Sequence, residues 1–262
     1  MKLPPAERHA LRAIAELDRE VPCVLVGGVA LVCQTEFSWR NTVDVDITIA
    51  ADVDGAGRIL RTRGGWKQDA RVEHKWWTPQ GIPVDVVPAS RELLDAGEVT
   101  WPGTGARMSL LGLRHAFTER VIVDVDDLLV PVAPPPVIAL LKMVAWLDSP
   151  GDRERDLADL AHLLDAWLAA DDERRFDAIA LDPTLTWETS AAFTLGHAMA
   201  GKLDARERVV VGKFLAIVRD DTHPSGAQAR MLRSAPAGWR DDPEQLLLRL
   251  AAYEQGLDAL EV

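Results

Sequence analysis

The hydrophobic pattern of the N-terminal region predicts a helix followed by two strands. The helix is expected over Pro5–Arg19, and the apolar, mostly β-branched run Val21–Val26 predicts a buried strand. Further along, Val43–Ile49 alternates apolar and polar residues with a period of two. Such alternation predicts a strand with one buried face and one polar face. The polar face of this second strand carries two carboxylates, Asp44 and Asp46.

Two adjacent glycines, Gly27 and Gly28, directly follow the first predicted strand. Residues without a side chain let the backbone turn sharply and let an anion approach it. A helix predicted over Val29–Gln34 would point its free N–H groups and the positive end of its dipole at that anion. The turn is therefore a candidate phosphate-binding site, and a loop over Thr35–Asn41 connects it to the second strand.

Three aspartates are candidate metal ligands. Asp44 and Asp46 share one face of the second strand, and Asp85 is an isolated acid in an otherwise apolar predicted strand. Because an unpaired charge in such a strand is costly, a role as a ligand is favoured. Mg²⁺ takes hard oxygen ligands, usually one or two carboxylates together with phosphate oxygens. On adjacent strands, the three aspartates could hold two metal ions about 3.5–4 Å apart, which clamp an α-phosphate and activate an attacking hydroxyl.

The remaining pattern divides the chain at a proline-rich run. Pro131–Pro136 is rigid and poor in backbone N–H donors, so we expect a domain of residues 1–133 and a helical domain of residues 134–262. In the first domain, a helix and three strands are predicted over Asp54–Arg63, Arg71–Thr78, Ile82–Val87 and Val121–Val125. In the second, helices are predicted over Val137–Asp148, Asp152–Ala169, Thr186–Gly201, Ala205–Asp220 and Pro243–Leu260.

These motifs resemble those of a known enzyme superfamily. The pattern Gly-Gly-x-Ala-Leu from Gly27, then Arg-x-Thr-x-Asp-x-Asp from Arg40, then a lone Asp in a later strand, is similar to the polymerase-β-type nucleotidyltransferases. Lys142 on an apolar helix, followed by Arg153–Leu160, is similar to the helical signature of one family within it. That family is the AbiEii-like nucleotidyltransferase toxins of bacterial toxin–antitoxin and phage-defence systems. The resemblance covers residues 20–165.

The resemblance implies a fold and a set of site residues. The fold would be α+β, a polymerase-β-type nucleotidyltransferase domain with a short mixed sheet, followed by an α-helical domain. Catalysis and metal binding would fall to Asp44, Asp46 and Asp85. Nucleotide binding would involve Gly27, Gly28, Arg40, Thr42, Lys142 and Asp156.

Two details qualify these implied roles. Lys142 would contact the triphosphate and Asp156 would order the site, although a lysine on an apolar helix can also snorkel to the surface. Many superfamily members carry serine after the first glycine of the turn. Because Gly28 has no hydroxyl, backbone N–H groups would do more of the phosphate binding here.

Composition restricts the class and location of the protein. Of its 262 residues, 48% are hydrophobic and 27% charged, which is ordinary for a soluble globular protein. We expect a cytoplasmic protein without a membrane partner, because the chain has neither a long apolar run nor an apolar signal core after Met1. Cys23 and Cys33 lack a C-x-x-C spacing and are expected to be small buried residues.

The net charge of −12 does not favour a nucleic-acid partner by itself. One cluster of basic and aromatic residues could nevertheless bind single-stranded RNA through charge and stacking. It consists of Arg58, Arg61, Arg63, Lys67 and Arg71 with Trp66, Trp76 and Trp77. Since a solvated helix face with core tryptophans is the commoner arrangement, these residues are not counted as site residues.

The sequence therefore predicts a metal-dependent nucleotidyltransferase that moves a nucleoside monophosphate from a nucleoside triphosphate to a hydroxyl. Two Mg²⁺ ions are the expected cofactors, with Mn²⁺ as the alternative. By the resemblance, the acceptor would be RNA, such as a tRNA 3′ end, and a cognate antitoxin would be the protein partner. Two alternatives stay open: transfer to an aminoglycoside- or lincosamide-type antibiotic, and a catalytically silent binding subunit with the same fold.

Overall fold

The structure is a computed structural model that describes residues 4–35, 44–62 and 65–259. The chain divides into two compact units, Met1–Ile138 and Ala139–Val262. The first unit combines a mixed sheet with helices, and the described part of the second unit is helical. The expected α+β class, with a mixed sheet ahead of a helical region, is confirmed. Among the described residues, no helix is long and apolar enough to span a membrane.

Within the described residues, the strands all belong to the first unit. In chain order they are β1 Cys23–Val26, β2 Val45–Ile49, β3 Lys67–Gln68, β4 Lys75–Trp77, β5 Pro83–Pro88, β6 Glu98–Thr100, β7 Arg107–Ser109, β8 Val121–Val125 and β9 Leu128–Val132. Seven of them form one sheet in the order β3-β4-β5-β2-β1-β9-β8, and β6 and β7 form a separate hairpin. The pairs β2–β5 and β1–β9 are parallel, and the other pairs are antiparallel.

The helices of the first unit are short, except for the first. They are α1 Pro5–Asp18, α2 Gly27–Val32, α3 Val53–Thr62, α4 Arg91–Ala96 and α5 Leu113–Thr118. The helix α6 Pro135–Asp148 crosses the boundary between the units, and the second unit continues with α7 Glu154–Ala166, α8 Glu173–Leu181, α9 Trp187–His197, α10 Ala205–Arg219, α11 Ala227–Ser234 and α12 Pro243–Asp258. Helix α1 packs against β1 and β9, with its apolar face buried.

The alternation predicted for β2 separates the two faces of the sheet. Val45, Ile47 and Ile49 are buried, as expected, while Asp46 between them is only half-buried. Strand β5 repeats this pattern, with Val84 buried and its neighbours in the strand half-buried. Since residues paired across strands share a face, one face of this region of the sheet is covered and the other is partly open.

The proline-rich run was expected to interrupt regular structure, but it contributes residues to a strand and to a helix. Pro131 lies inside β9, which pairs in parallel with β1 at Val132, one residue beyond the proline. Pro135 begins α6, because the first turn of a helix has no use for the missing N–H group. A tight turn through Asp126 and Asp127, both with positive φ, joins β8 to β9. The strand predicted over Val121–Val125 is confirmed as β8, and β9 was missed.

In the second unit, two glycines let α9 and α12 approach closely. A Cβ atom on Gly196 would overlap the backbone oxygen of Tyr253, and one on Gly256 would overlap the backbone oxygen of Phe193. The two helices can therefore pack backbone against backbone only with glycine at both positions.

Candidate active site

The glycine turn lies directly against one of the predicted metal ligands. β1 ends at Val26, and Gly27 follows with φ 72°. A Cβ atom on Gly27 would overlap Asp46 Oδ2 and lie 3.1 Å from Asp46 Cγ. The left-handed backbone favours glycine, and any larger residue here would also displace the Asp46 side chain. The turn and the first carboxylate of β2 form one compact structure.

The helix after the turn begins earlier and ends earlier than expected. The prediction was Val29–Gln34, whereas α2 spans Gly27–Val32 and includes both glycines in its first turn. Gly28 is buried. The chain passes from β1 into α2 without an intervening loop, and Gly27 makes the sharp turn between them with its positive φ.

Four residues form a row across the sheet at the end of β1. The registers pair Val26 with Asp46, Asp46 with Asp85, and Asp85 with Lys75, which lie on β1, β2, β5 and β4. Because β2 and β5 are neighbours and in register, the Asp46 and Asp85 side chains leave the same face from backbones about 5 Å apart. Lys75 Nζ lies 4.0 Å from Asp85 Oδ1. The row thus places two adjacent carboxylates beside one ammonium group.

The other predicted residues near this row are only partly described. Asp44 is exposed and lies immediately before β2, not inside the strand as expected. Its convergence with Asp46 on a shared metal stays a prediction. Arg40 and Thr42, predicted to bind nucleotide, lie outside the described residues.

The donor set around Asp46 and Asp85 fits a divalent cation that substrate helps to hold. Across residues 4–35, 44–62 and 65–259, no group of three or more His, Cys, Asp or Glu side chains is arranged to hold a metal ion. Asp46 and Asp85 supply two adjacent hard oxygen ligands, and their like charges favour a cation between them. Mg²⁺ commonly takes one or two carboxylates and completes its shell with water and phosphate oxygens. The residues therefore suit a Mg²⁺ ion that arrives with a nucleotide.

Lys142 lies in a buried ion cluster of the second unit. It is 5% exposed, and its Nζ lies 2.9 Å from Asp156 Oδ1 and 2.6 Å from Asp159 Oδ2. Burial alone would lower the pKa of Lys142, but the two carboxylates outweigh that effect and raise the pKa above its ordinary value. The ammonium is therefore charged at neutral pH. The alternative in which Lys142 snorkels to the surface is wrong.

The cluster also explains where Asp156 is placed. Arg153 Nη1 lies 3.9 Å from Asp156 Oδ2, one helical turn earlier on the chain. Asp156 and Asp159 are three residues apart on α7, so they share a face and meet the same ammonium. The predicted roles of Lys142 and Asp156 in nucleotide binding stay predictions.

Two residues of these clusters were not predicted from the sequence. Asp159 could have been found, because the spacing Asp-x-x-Asp puts it on the same helix face as Asp156. Lys75 could not, because its position beside Asp85 depends on the register between β4 and β5. No local pattern around Lys75 distinguishes it from an ordinary surface lysine.

Substituting Gly27 tests whether the turn and the carboxylate depend on each other. Gly27→Ala is expected to lower the free energy of unfolding by about 1–3 kcal/mol, because alanine is strained at positive φ and its Cβ would push Asp46 aside. Urea denaturation measures this change. Gly81→Ala is the matched control, since φ there is 74° but nothing lies within 4 Å of the added Cβ. An equal effect of both substitutions would show that backbone strain alone is responsible.

A glycine turn packed on one carboxylate, with a second carboxylate on the neighbouring strand of a mixed sheet, is the arrangement that the sequence motifs predict for a nucleotidyltransferase of the α+β class. The family model described as nucleotidyl transferase AbiEii toxin, type IV toxin–antitoxin system, matches residues 9–196. This match spans most of the chain. The chain belongs to the AbiEii nucleotidyltransferase toxin family, as its motifs predicted.

The individual proteins that resemble this chain are remote and do not extend the family assignment. No curated protein matches the chain. Among solved structures, an antigenic nucleotidyltransferase-like protein from Paracoccidioides brasiliensis is 15% identical over 60% of this chain and 74% of its own, with a TM-score of 0.40. JHP933 from Helicobacter pylori is 15% identical over 98% of this chain and 94% of its own, with a TM-score of 0.37. The family assignment rests on the family model alone.

Proposed function

We propose that this nucleotidyltransferase transfers a nucleoside monophosphate from a nucleoside triphosphate to a hydroxyl of RNA, in a Mg²⁺-dependent reaction. The main support is the pair of in-register carboxylates, Asp46 and Asp85, beside the Gly27 turn. The family adds the context of a type IV toxin–antitoxin system. In this proposal the acceptor is the 3′ end of a tRNA or another RNA, the protein acts in the cytoplasm, and a cognate antitoxin is its partner.

The glycines and the aspartates of the site have different roles in this reaction. Backbone N–H groups at Gly27 and Gly28 bind the triphosphate, and Asp44, Asp46 and Asp85 hold two Mg²⁺ ions, with Mn²⁺ as the alternative. When bound, the ions supply charge neutralisation at the α-phosphate and lower the pKa of the attacking hydroxyl. Asp85 helps to take the proton from that hydroxyl. A bond then forms between the acceptor oxygen and the α-phosphorus, and the bond from that phosphorus to pyrophosphate breaks.

The direct test is transfer of label from a nucleoside triphosphate to RNA. The purified protein is incubated with Mg²⁺, each α-labelled nucleoside triphosphate in turn, and total tRNA. The control is the double variant Asp44→Ala Asp46→Ala, checked for folding by circular dichroism. Label on RNA that is lost in the double variant supports the proposal and identifies both substrates.

Two other outcomes would contradict the RNA acceptor. Metal-dependent nucleotide binding without label on RNA would favour a small hydroxylated acceptor, such as an aminoglycoside or a lincosamide, which is then offered in place of tRNA. Absence of nucleotide binding in the presence of Mg²⁺ would contradict the enzyme and leave the silent binding subunit. Antibiotic tolerance or growth arrest on expression separates the two enzymatic functions in cells.

A further inference from the structure

Three residues continue the open face of the sheet beyond Asp85. Lys75 is paired with Asp85, Trp77 is paired with Pro83 of β5, and Lys67 of β3 is paired with Trp77. Cross-strand partners point to the same face, and so do residues two apart on one strand. Lys67, Lys75 and Trp77 therefore share the face that carries Asp46 and Asp85. Trp76, between the last two, points to the covered face and is buried.

Trp77 differs from the other tryptophans near it. It is 37% exposed, whereas Trp66 is 7% exposed and Trp76 is 3% exposed. Trp66 and Trp76 thus belong to the core, as the commoner interpretation of this cluster expects. Single exposed aromatic residues are common on protein surfaces, so the informative feature of Trp77 is its position on the face that carries Asp85.

The hairpin that carries Trp77 is held together by hydrogen bonds of Asp69. The Asp69 carboxylate accepts backbone N–H groups from Arg71 at 2.8 Å and Val72 at 3.1 Å, and these bonds, with a smaller contribution from the Trp77 side chain, lower the pKa of Asp69. The backbone N–H of Asp69 donates to the carbonyl of Lys75 at 2.9 Å. These bonds order the connection between β3 and β4, and with it the strand that carries Trp77. An aromatic residue on an ordered strand loses less conformational entropy when a planar ligand stacks on it than one on a mobile loop would.

We propose that Trp77, flanked by Lys67 and Lys75, is a stacking platform for a base of the single-stranded RNA acceptor. The inference rests on the proposed function, since it takes Asp85 as the end of the site that faces the acceptor. Aromatic stacking beside lysines that contact phosphates is the usual way in which proteins bind single-stranded nucleic acid. The flanking lysines supply charge of the sign that RNA requires.

The order of the strands favours the RNA acceptor, and not the nucleoside triphosphate, as the ligand that stacks on Trp77. Across the sheet, the Gly27 turn follows β1, Asp46 lies on β2, Asp85 on β5 and Trp77 on β4. The triphosphate turn and Trp77 therefore lie on opposite sides of the two carboxylates. Trp77 is displaced from Asp85 by about 5 Å across the strands and about 7 Å along them. A base near the reacting end of the RNA can reach this position while its hydroxyl lies at Asp85.

Binding of a single-stranded RNA tests the platform directly. The probe is fluorescein-labelled poly-uridine RNA, and the Kd is measured by fluorescence anisotropy with full-length protein. Trp77→Leu keeps the apolar bulk and removes the aromatic face, so it is expected to raise the Kd by about 5- to 150-fold. Trp77→Phe keeps a stacking face and is expected to stay within about threefold of the wild type. Lys67→Ala is expected to reduce the slope of log Kd against log salt by about 0.7.

The matched control is Phe176→Ala, which removes an aromatic ring that is 58% exposed in the second unit. It is expected to leave the RNA Kd unchanged. If Trp77→Leu binds the RNA as tightly as the wild type, or weakens only the binding of nucleoside triphosphate, the inference is wrong. The same holds if Trp77→Phe binds as weakly as Trp77→Leu, because the aromatic face would then not matter.

The binding assay separates this inference from the proposed function. If the wild type transfers nucleotide to RNA but Trp77→Leu leaves the RNA Kd unchanged, the proposed function stands and the stacking platform is wrong. Transfer to a small hydroxylated acceptor, together with an RNA Kd that does respond, would remove the RNA acceptor from the proposed function and leave Trp77 as a binding site for RNA.

Discussion

Replacing Lys142 by methionine is expected to lower the free energy of unfolding by about 3–5 kcal/mol. Methionine fills a similar volume but removes the charge, and Asp156 and Asp159 would then face each other in the interior of the second unit without the ammonium between them. Breaking a buried ion pair by removing one partner is costly, because the remaining charge stays buried. Urea denaturation followed by circular dichroism measures the change.

The matched control for this prediction is Lys213→Met, an exposed lysine on α10 of the same unit. Its substitution is expected to change stability by less than about 0.5 kcal/mol. If Lys142→Met is equally harmless and instead raises the KM for nucleoside triphosphate, the ammonium acts on the nucleotide and not on the fold. That outcome would favour the role implied by the family signature.

The pH dependence of stability gives a second measurement on the same cluster. The two carboxylates raise the pKa of Lys142 above its ordinary value of 10.5. A group whose pKa is raised in the folded state stabilises fully below its unfolded pKa, and the stabilisation is lost as the pH rises through the folded pKa. The wild type is therefore expected to lose stability above about pH 10.5. Lys142→Met would lose less over the same range.

The parts of the site that could be predicted are those set by local sequence. Gly27 and Gly28 stand out because glycine is required where the backbone is left-handed and closely packed, and the structure has both conditions at Gly27. Asp46 stands out on the polar side of an alternating strand, and Asp85 stands out as a lone acid in an apolar strand. The period of two fixes the face that each takes within its own strand, whereas their sharing of one sheet face depends on the register between β2 and β5.

The parts that could not be predicted depend on pairing between distant segments. The sequence does not reveal that Lys75 meets Asp85, because that register is set by the packing of β4 on β5. Strand β9 was missed because Pro131 argues against a strand, yet its pairing with β1 lies beyond the proline. Helix α8 was missed because burial does not follow its apolar residues: Arg175 and Ala178 are buried, whereas Phe176 and Leu181 are exposed.

The polar partners of Arg175 show why such a helix escapes a hydrophobic pattern. Its guanidinium donates to the backbone oxygens of Asp165, Leu168 and Ala169 and to that of Trp187. A buried arginine with this many acceptors anchors a helix by hydrogen bonds as well as by apolar contact. Periodicity of apolar residues carries no information about an anchor of this kind.

Replacing Asp85 by asparagine is expected to reduce nucleotidyl transfer by about a thousandfold or more, which corresponds to about 4 kcal/mol of transition-state stabilisation. Asparagine keeps the shape of the side chain but lowers its affinity for a divalent cation and for the proton of the acceptor hydroxyl. It also removes one of the two like charges in the Asp46–Asp85 pair. The metal-free stability is therefore expected to stay within about 1 kcal/mol of the wild type, since the Lys75 contact that is lost is long and partly exposed.

Thermal unfolding then separates a lost metal ligand from a damaged fold. With Mg²⁺ and a non-hydrolysable nucleoside triphosphate at about a hundred times the Kd, the wild type gains about 2.7 kcal/mol and its Tm rises. Asp85→Asn is expected to lose most of this rise, whereas Asp54→Asn, an exposed aspartate on α3 of the same unit, retains it. If Asp85→Asn keeps both the activity and the Mg²⁺-dependent rise in Tm, Asp85 is not a metal ligand. Asp85 would then act only as the ion-pair partner of Lys75 on β4, and metal binding would depend on Asp44 and Asp46 alone.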